Sequence, residues 1–125
     1  NAGAGNCHNG GHPDELYATF VDQLAGLPAD TLIYPGHDYI VGNLGFTLDR
    51  EPDNAKAAQM LAEVENQDTN HALVSTLALE MEINTFFRLH SPTVIAKLRE
   101  AFPALPEDPD TKTVFLKLRE LRNDW

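Results

Sequence analysis

Thr31-Leu32-Ile33-Tyr34-Pro35-Gly36-His37-Asp38-Tyr39 is the stretch whose reading decides the fold. Four apolar or β-branched residues in succession, stopped by Pro-Gly, predict a short buried strand ending in a tight turn. The turn then carries His37, Asp38 and Tyr39 together at the strand's end. A rigid strand aims residues on the loop that follows it, which is where chemistry collects in layered α/β structures. A histidine so placed is a candidate metal ligand or general base; the alternative is a loop histidine satisfied by a backbone carbonyl.

Elsewhere the apolar spacing is helical. Pro13 followed by Asp14 and Glu15 predicts a helix start, with Leu16, Phe20 and Leu24 forming a stripe that Gly26-Leu27-Pro28 ends. Ile40, Leu44 and Leu48 predict a helix interrupted by Gly42 and Gly45. Asp53–Glu65 is a strong helical pattern, with Ala57, Met60, Leu61 and Val64 inward, and Asn66–Asn70 reads as a polar loop. Thr76–Glu82 reads as a helix with Leu77, Leu79 and Met81 in the core. Ser91-Pro92 caps another helix, through Phe102, that buries Val94, Ile95 and Leu98. Three prolines between Pro103 and Pro109 exclude regular structure there. Asp110 caps a last helix through about Asn123, with Val114, Phe115, Leu118 and Leu121 on one face. The single strand has no partner in this reading, which leaves its backbone groups unpaired.

Composition narrows the function. The 125 residues, 42% of them hydrophobic, suffice for one modest core. A formal net charge of −10, from 19 acidic against 9 basic residues, argues against nucleic acid and anionic membrane as partners. It does not exclude a small anion held by a local positive cluster. The lone cysteine, Cys7, excludes an intrachain disulfide framework and fits a reducing, cytoplasmic setting. With no base beside it, Cys7 is not read as a nucleophile. The chain opens without Met, inside a glycine-rich loop, Asn1–Gly11, and we read that start as a cut within a longer protein. The exposed amides of such a loop can receive an anion or a carbonyl oxygen. His8 and His12 lie four apart, but Asn9-Gly10-Gly11 and Pro13 exclude the helix that would pair them on a metal. His71 and His90 read as surface loop residues.

Four stretches carry a family resemblance. Tyr34-Pro35-Gly36-His37-Asp38-Tyr39, then Asn43, Phe46 and Glu51-Pro52-Asp53-Asn54, resembles the last metal-ligand motif of glyoxalase II enzymes, the hydroxyacylglutathione hydrolases of the metallo-β-lactamase superfamily. Ser75-Thr76-Leu77-Ala78 with Glu80, Asn84, Phe86 and Arg88 resembles a second segment of that family, and Leu118–Trp125 its closing one. The glycine-rich opening resembles its substrate loop. The resemblance implies an α/β fold: the C-terminal part of an αββα sandwich in residues 1–38, then a mostly helical substrate-binding domain in 39–125.

It also implies hydrolysis of a glutathione-derived thioester at a binuclear metal centre, usually zinc and otherwise iron or manganese. His37 matches a metal ligand. Tyr39 and Asn43 match substrate contacts, and Arg119 and Arg122 match a basic pair that holds a carboxylate. Three-residue spacing puts both arginines on one helical face, where their forks suit carboxylates; the alternative is pairing with Glu120 or solvent. Asn6 and His8 occupy substrate-loop positions where family members carry a lysine and an aromatic, implying a different substrate or a different grip on the same one. The family's His-x-His-x-Asp-His motif is absent, so this chain alone is expected to be inert and to need the preceding half of its protein as partner. A persulfide dioxygenase of the same superfamily and a non-catalytic helical binding module are the competing readings.

Overall fold

The computed structural model describes residues 1–66 and 72–125. His71 and most of the expected polar loop lie outside those residues. The order is α1 (Pro13–Ala18), β1 (Leu32–Ile33), α2 (Ile40–Arg50), α3 (Ala55–Glu65), β2 (Ser75–Thr76), α4 (Leu77–Ile83), α5 (Pro92–Ala101) and α6 (Thr111–Asn123). A wide π-type turn (Thr19–Leu24) extends α1, and a single 3₁₀ turn (Thr85–Phe87) follows α4.

Helix ends fall where capping chemistry puts them. Asn54 accepts from Ala57 N at 2.9 Å, and Asp110 accepts from Thr113 N at 2.7 Å. That backbone N–H, together with the Thr113 side chain, holds the Asp110 carboxyl below the usual range. Ser91 precedes Pro92 at the start of α5 and bonds Val94 N at 3.4 Å.

Several expectations are corrected. β1 does have a partner: Leu32 pairs with Thr76 and Ile33 with Ser75, antiparallel. Leu77 N to Thr31 O and Ala78 N to Ala29 O, both 2.9 Å, extend the contact. Two residues of β-bridge leading straight into a helix carry no alternating pattern, so β2 is invisible as a strand. Nor is β1 buried. Leu32 is 54% and Tyr34 72% exposed, because the two-stranded ribbon is covered on one face only. In α4 the inner face is Leu77, Glu80 and Ile83, while Met81 is exposed and Leu79 half-buried. The alternation 77, 79, 81 is a strand period; the helix selects every third residue. Finally, α2 runs unbroken through Gly42 and Gly45. At Gly45 the missing side chain is needed, since a Cβ there would stand 2.9 Å from Trp125 Cη2.

Two apolar clusters meet at α2. Phe46 joins Phe20, Phe86, Leu89, Val94, Leu98, Val114, Phe115 and Leu118, where Phe86 and Phe115 pack edge to face at 5.2 Å. Ile40 and Leu44 join Ala2, Ala57, Met60 and Ile83. Each fully buried Val, Leu, Ile or Phe side chain among them contributes about 1.5–3 kcal/mol. Phe20 ties the N-terminal helix into the first cluster through ring contacts with Phe86, Phe87 and Phe115. The Glu51 and Arg88 of the quoted motifs form a brace between α2 and the turn after α4. Arg88 Nε and Nη2 donate to the Glu51 carboxylate at 2.6 and 2.7 Å, and Ser91 and Asn54 add donors at 2.9 and 3.1 Å. Burial alone raises the Glu51 carboxyl, but these donors and the Arg88 charge outweigh it and hold the group below the usual range.

Candidate functional site

A cavity of about 480 Å³ opens where three segments converge. One wall is the glycine-rich loop, Asn1 to His8. A second is the turn that β1 delivers, Pro35 to Tyr39. The third combines Asn43 on α2 with Arg119, Arg122 and Asn123 at the end of α6. All seven residues singled out from the sequence, Asn6, His8, His37, Tyr39, Asn43, Arg119 and Arg122, line this one space. Cys7 and His12 are not among its lining residues, and His90 is exposed in the turn before α5.

The two arginines occupy different environments. Arg119 is 4% exposed and all three of its nitrogens are engaged: Nη1 holds the carbonyls of Ala4 at 2.8 Å and Gly5 at 3.0 Å, while Nε and Nη2 hold Asn123 Oδ1. Burial, reinforced by the neighbouring Arg122 charge, lowers its pKa. Arg122 gives one bond, to Asn43 Oδ1 at 3.2 Å, and lies over the rings of Trp125 and Phe46 at 5.5 and 5.9 Å. Such stacking fixes a guanidinium plane without consuming its N–H groups. Among the described residues no carboxylate pairs with either arginine; Glu120, the obvious rival, pairs with Lys117 at 2.9 Å. An acidic chain therefore carries an uncompensated positive wall in its cavity, which suits a carboxylate.

His37 is exposed at the mouth and stacks on Tyr39, ring centroids 5.5 Å apart. A metal centre does not fit the residues present: among the described residues no three His, Cys, Asp or Glu side chains cluster, and one imidazole falls short of the three ligands a catalytic zinc takes. What the arrangement offers is binding. An anion can sit on Arg122, with amide partners from Asn6 and Asn43 and an aromatic face from Tyr39.

Sequence reasoning named Asn43, Glu80 and Asn84 but missed that they shape the loop. Asn43 Nδ2 donates to Asn1 O at 2.9 Å, Glu80 receives Ala2 N, and Asn84 Nδ2 donates to Gly3 O at 3.0 Å. The available signal was a polar pair four apart, Glu80 within α4 and Asn84 just past its end.

No helix is long and apolar enough to cross a membrane among the described residues. Residues 38–125 match a family model described as hydroxyacylglutathione hydrolase C-terminus. A protein of Nitrosococcus oceani named hydroxyacylglutathione hydrolase is 74% identical over 125 residues, covering all of this chain and 48% of that protein. A protein of the same name from Polaromonas sp. is 64% identical with the same coverage. One from Anaeromyxobacter dehalogenans is 41% identical over 127 residues, 98% of this chain and 48% of the relative. The chain spans about half the length of the curated relatives it matches.

Proposed function

The chain belongs to the hydroxyacylglutathione hydrolase C-terminus family, and from that premise we propose that it is the substrate-gripping part of a hydrolase of glutathione-derived thioesters. The observation that carries the reading is the cavity wall in which Arg122 is oriented by two aromatic rings and paired with no carboxylate among the described residues. In this reading Arg122 receives a substrate carboxylate. Asn43, Tyr39, Asn6 and His8 line the path from that anchor towards the His37 turn, and Arg119 serves the site from behind by shaping its loop. Asn6 supplies hydrogen bonds without charge, so the main charged contact falls to the α6 end.

Residues 1–38 are assigned to the end of a metallo-β-lactamase-type αββα sandwich and 39–125 to the helical substrate domain. The remaining layers, and the metal ligands beyond His37, are assigned to the half of the relatives' length that this chain does not span. The metal proposed is zinc, with iron or manganese as the other choices. Cytoplasmic placement belongs to the same reading and rests on the single cysteine.

A kinetic comparison on the full-length protein tests it. A carboxylate contact far from the breaking bond is made equally in ground and transition states, so its loss raises KM more than it lowers kcat. A charge-assisted bond contributes about 1.5–3 kcal/mol, so Arg122→Ala costs about tenfold to a hundredfold in kcat/KM on lactoylglutathione. Hydrolysis of a small neutral thioester should be spared. Equal losses on both substrates mean that Arg122 only supports the last helix, and no loss on either means the pocket takes another ligand.

A further inference from the structure

Five consecutive residues of the glycine-rich loop are each held through a backbone group by a side chain from the helical part of the chain. The fulcrum is Ala2. It is 2% exposed and stands at φ 54°, a left-handed conformation that a residue with a Cβ rarely adopts. Both carboxylate oxygens of Glu80 take its N–H, at 3.1 and 2.9 Å. Glu80 is itself 2% exposed, and among the described residues it makes no ion pair. Its remaining partners are Ser75 Oγ at 2.6 Å and Asn84 Nδ2 at 3.0 Å.

A buried carboxylate without a cation is costly to keep, and a strained residue persists only where its surroundings over-determine it. Here the two features meet at one hydrogen-bonded contact. Downstream of it the chain runs directly into Gly3, Ala4, Gly5, Asn6 and His8, all of which line the cavity.

We propose that Glu80 is a positioning residue of this pocket: it locks Ala2 in the left-handed conformation and so sets the course of the loop that presents Asn6 and His8. The inference rests on the proposed substrate reading only for its kinetic arm. Because both Glu80 oxygens face the Ala2 N–H, Glu80→Gln turns an amide NH₂ against that N–H in either orientation. The left-handed loop then becomes one of several populated conformers, and apparent affinity falls with its population.

In the full-length protein Glu80→Gln is expected to raise KM for lactoylglutathione about tenfold while kcat stays within about twofold. Glycine adopts positive φ without steric cost, so adding Ala2→Gly to Glu80→Gln should bring KM back to within about threefold of the unsubstituted protein. Ala2→Pro leaves the carboxylate alone but removes the N–H and forbids positive φ. It should reproduce the KM rise, and it keeps the test open if Glu80→Gln fails to fold.

An unchanged KM in Ala2→Pro, or a rise in Glu80→Gln that Ala2→Gly does not relieve, overturns the proposal. The clamp is also read without any ligand, from amide exchange of the same proteins. Ala2 N–H should exchange at least about tenfold faster in Glu80→Gln than in the unsubstituted protein, and equal rates overturn the proposal. If the unsubstituted protein handles lactoylglutathione and a small thioester alike, the substrate reading has failed, and the exchange measurement decides the clamp on its own.

Discussion

Replacing Arg88 by methionine removes the two shortest bonds to Glu51, those at 2.6 and 2.7 Å, and leaves a carboxylate that is 3% exposed with only Ser91 and Asn54. Removing one partner of a buried ion pair costs about 3–5 kcal/mol, because the other charge stays desolvated. The Arg88 side chain is 32% exposed, so part of its attraction is already screened and the low end, about 3 kcal/mol, applies. An unfolding entropy of about 2.1 cal/mol/K per residue converts that into a fall in melting temperature of about 10 °C for a chain of this length. Calorimetry or urea unfolding followed by circular dichroism measures it. The pH dependence has a definite sign. The Glu51 carboxyl is lowered in the folded state, so its contribution is full above the ordinary glutamate range and is lost as pH falls through the lowered folded value. Arg88→Met removes the main cause of that lowering, so the acid limb of the stability profile should flatten. Adding Glu51→Gln should recover about half of the loss, since a neutral amide tolerates burial better than a stranded charge. A loss below about 0.5 kcal/mol with an unchanged acid limb would show that the brace is ornamental and that the packing around it holds the α2 end.

Two further substitutions probe the pocket and the helix behind it. In the full-length protein His37→Ala should lower metal content, read by elemental analysis, and abolish turnover; a full metal complement with near-normal turnover refutes the ligand assignment. Gly45→Ala places a Cβ 2.9 Å from Trp125 Cη2 and should push that ring off α2. Trp125 is the only tryptophan of this chain, so the emission of the isolated chain should shift to the red, and KM of the full-length protein should rise a few-fold as Arg122 loses one of its two rings. An unchanged spectrum means that the ring had room to spare.

Local chemistry made much of this protein legible in its sequence. Helix starts at Pro13, Ser91 and Asp110 follow from single-residue preferences, and the apolar faces of α3, α5 and α6 follow from spacing, because both act within one or two turns of chain. The Pro-Gly-His turn marked one wall of the cavity in the same way, and the family resemblance, rather than local chemistry, marked the arginine pair near the C-terminus. What the sequence withheld depends on partners distant in the chain. Ser75-Thr76 becomes a strand only because Leu32-Ile33 lies beside it. Glu80 was legible only as part of a family-like segment, and nothing local shows that it is buried against the backbone of a residue 78 positions away. Arg119 and Arg122 carry the same local signal, and only the tertiary structure separates them. Loop carbonyls and Asn123 engage all three nitrogens of one guanidinium, while two aromatic rings leave the other with donors to spare. Periodicity reports which face of a helix is inward; which buried polar group meets which backbone atom is decided when the chain closes on itself.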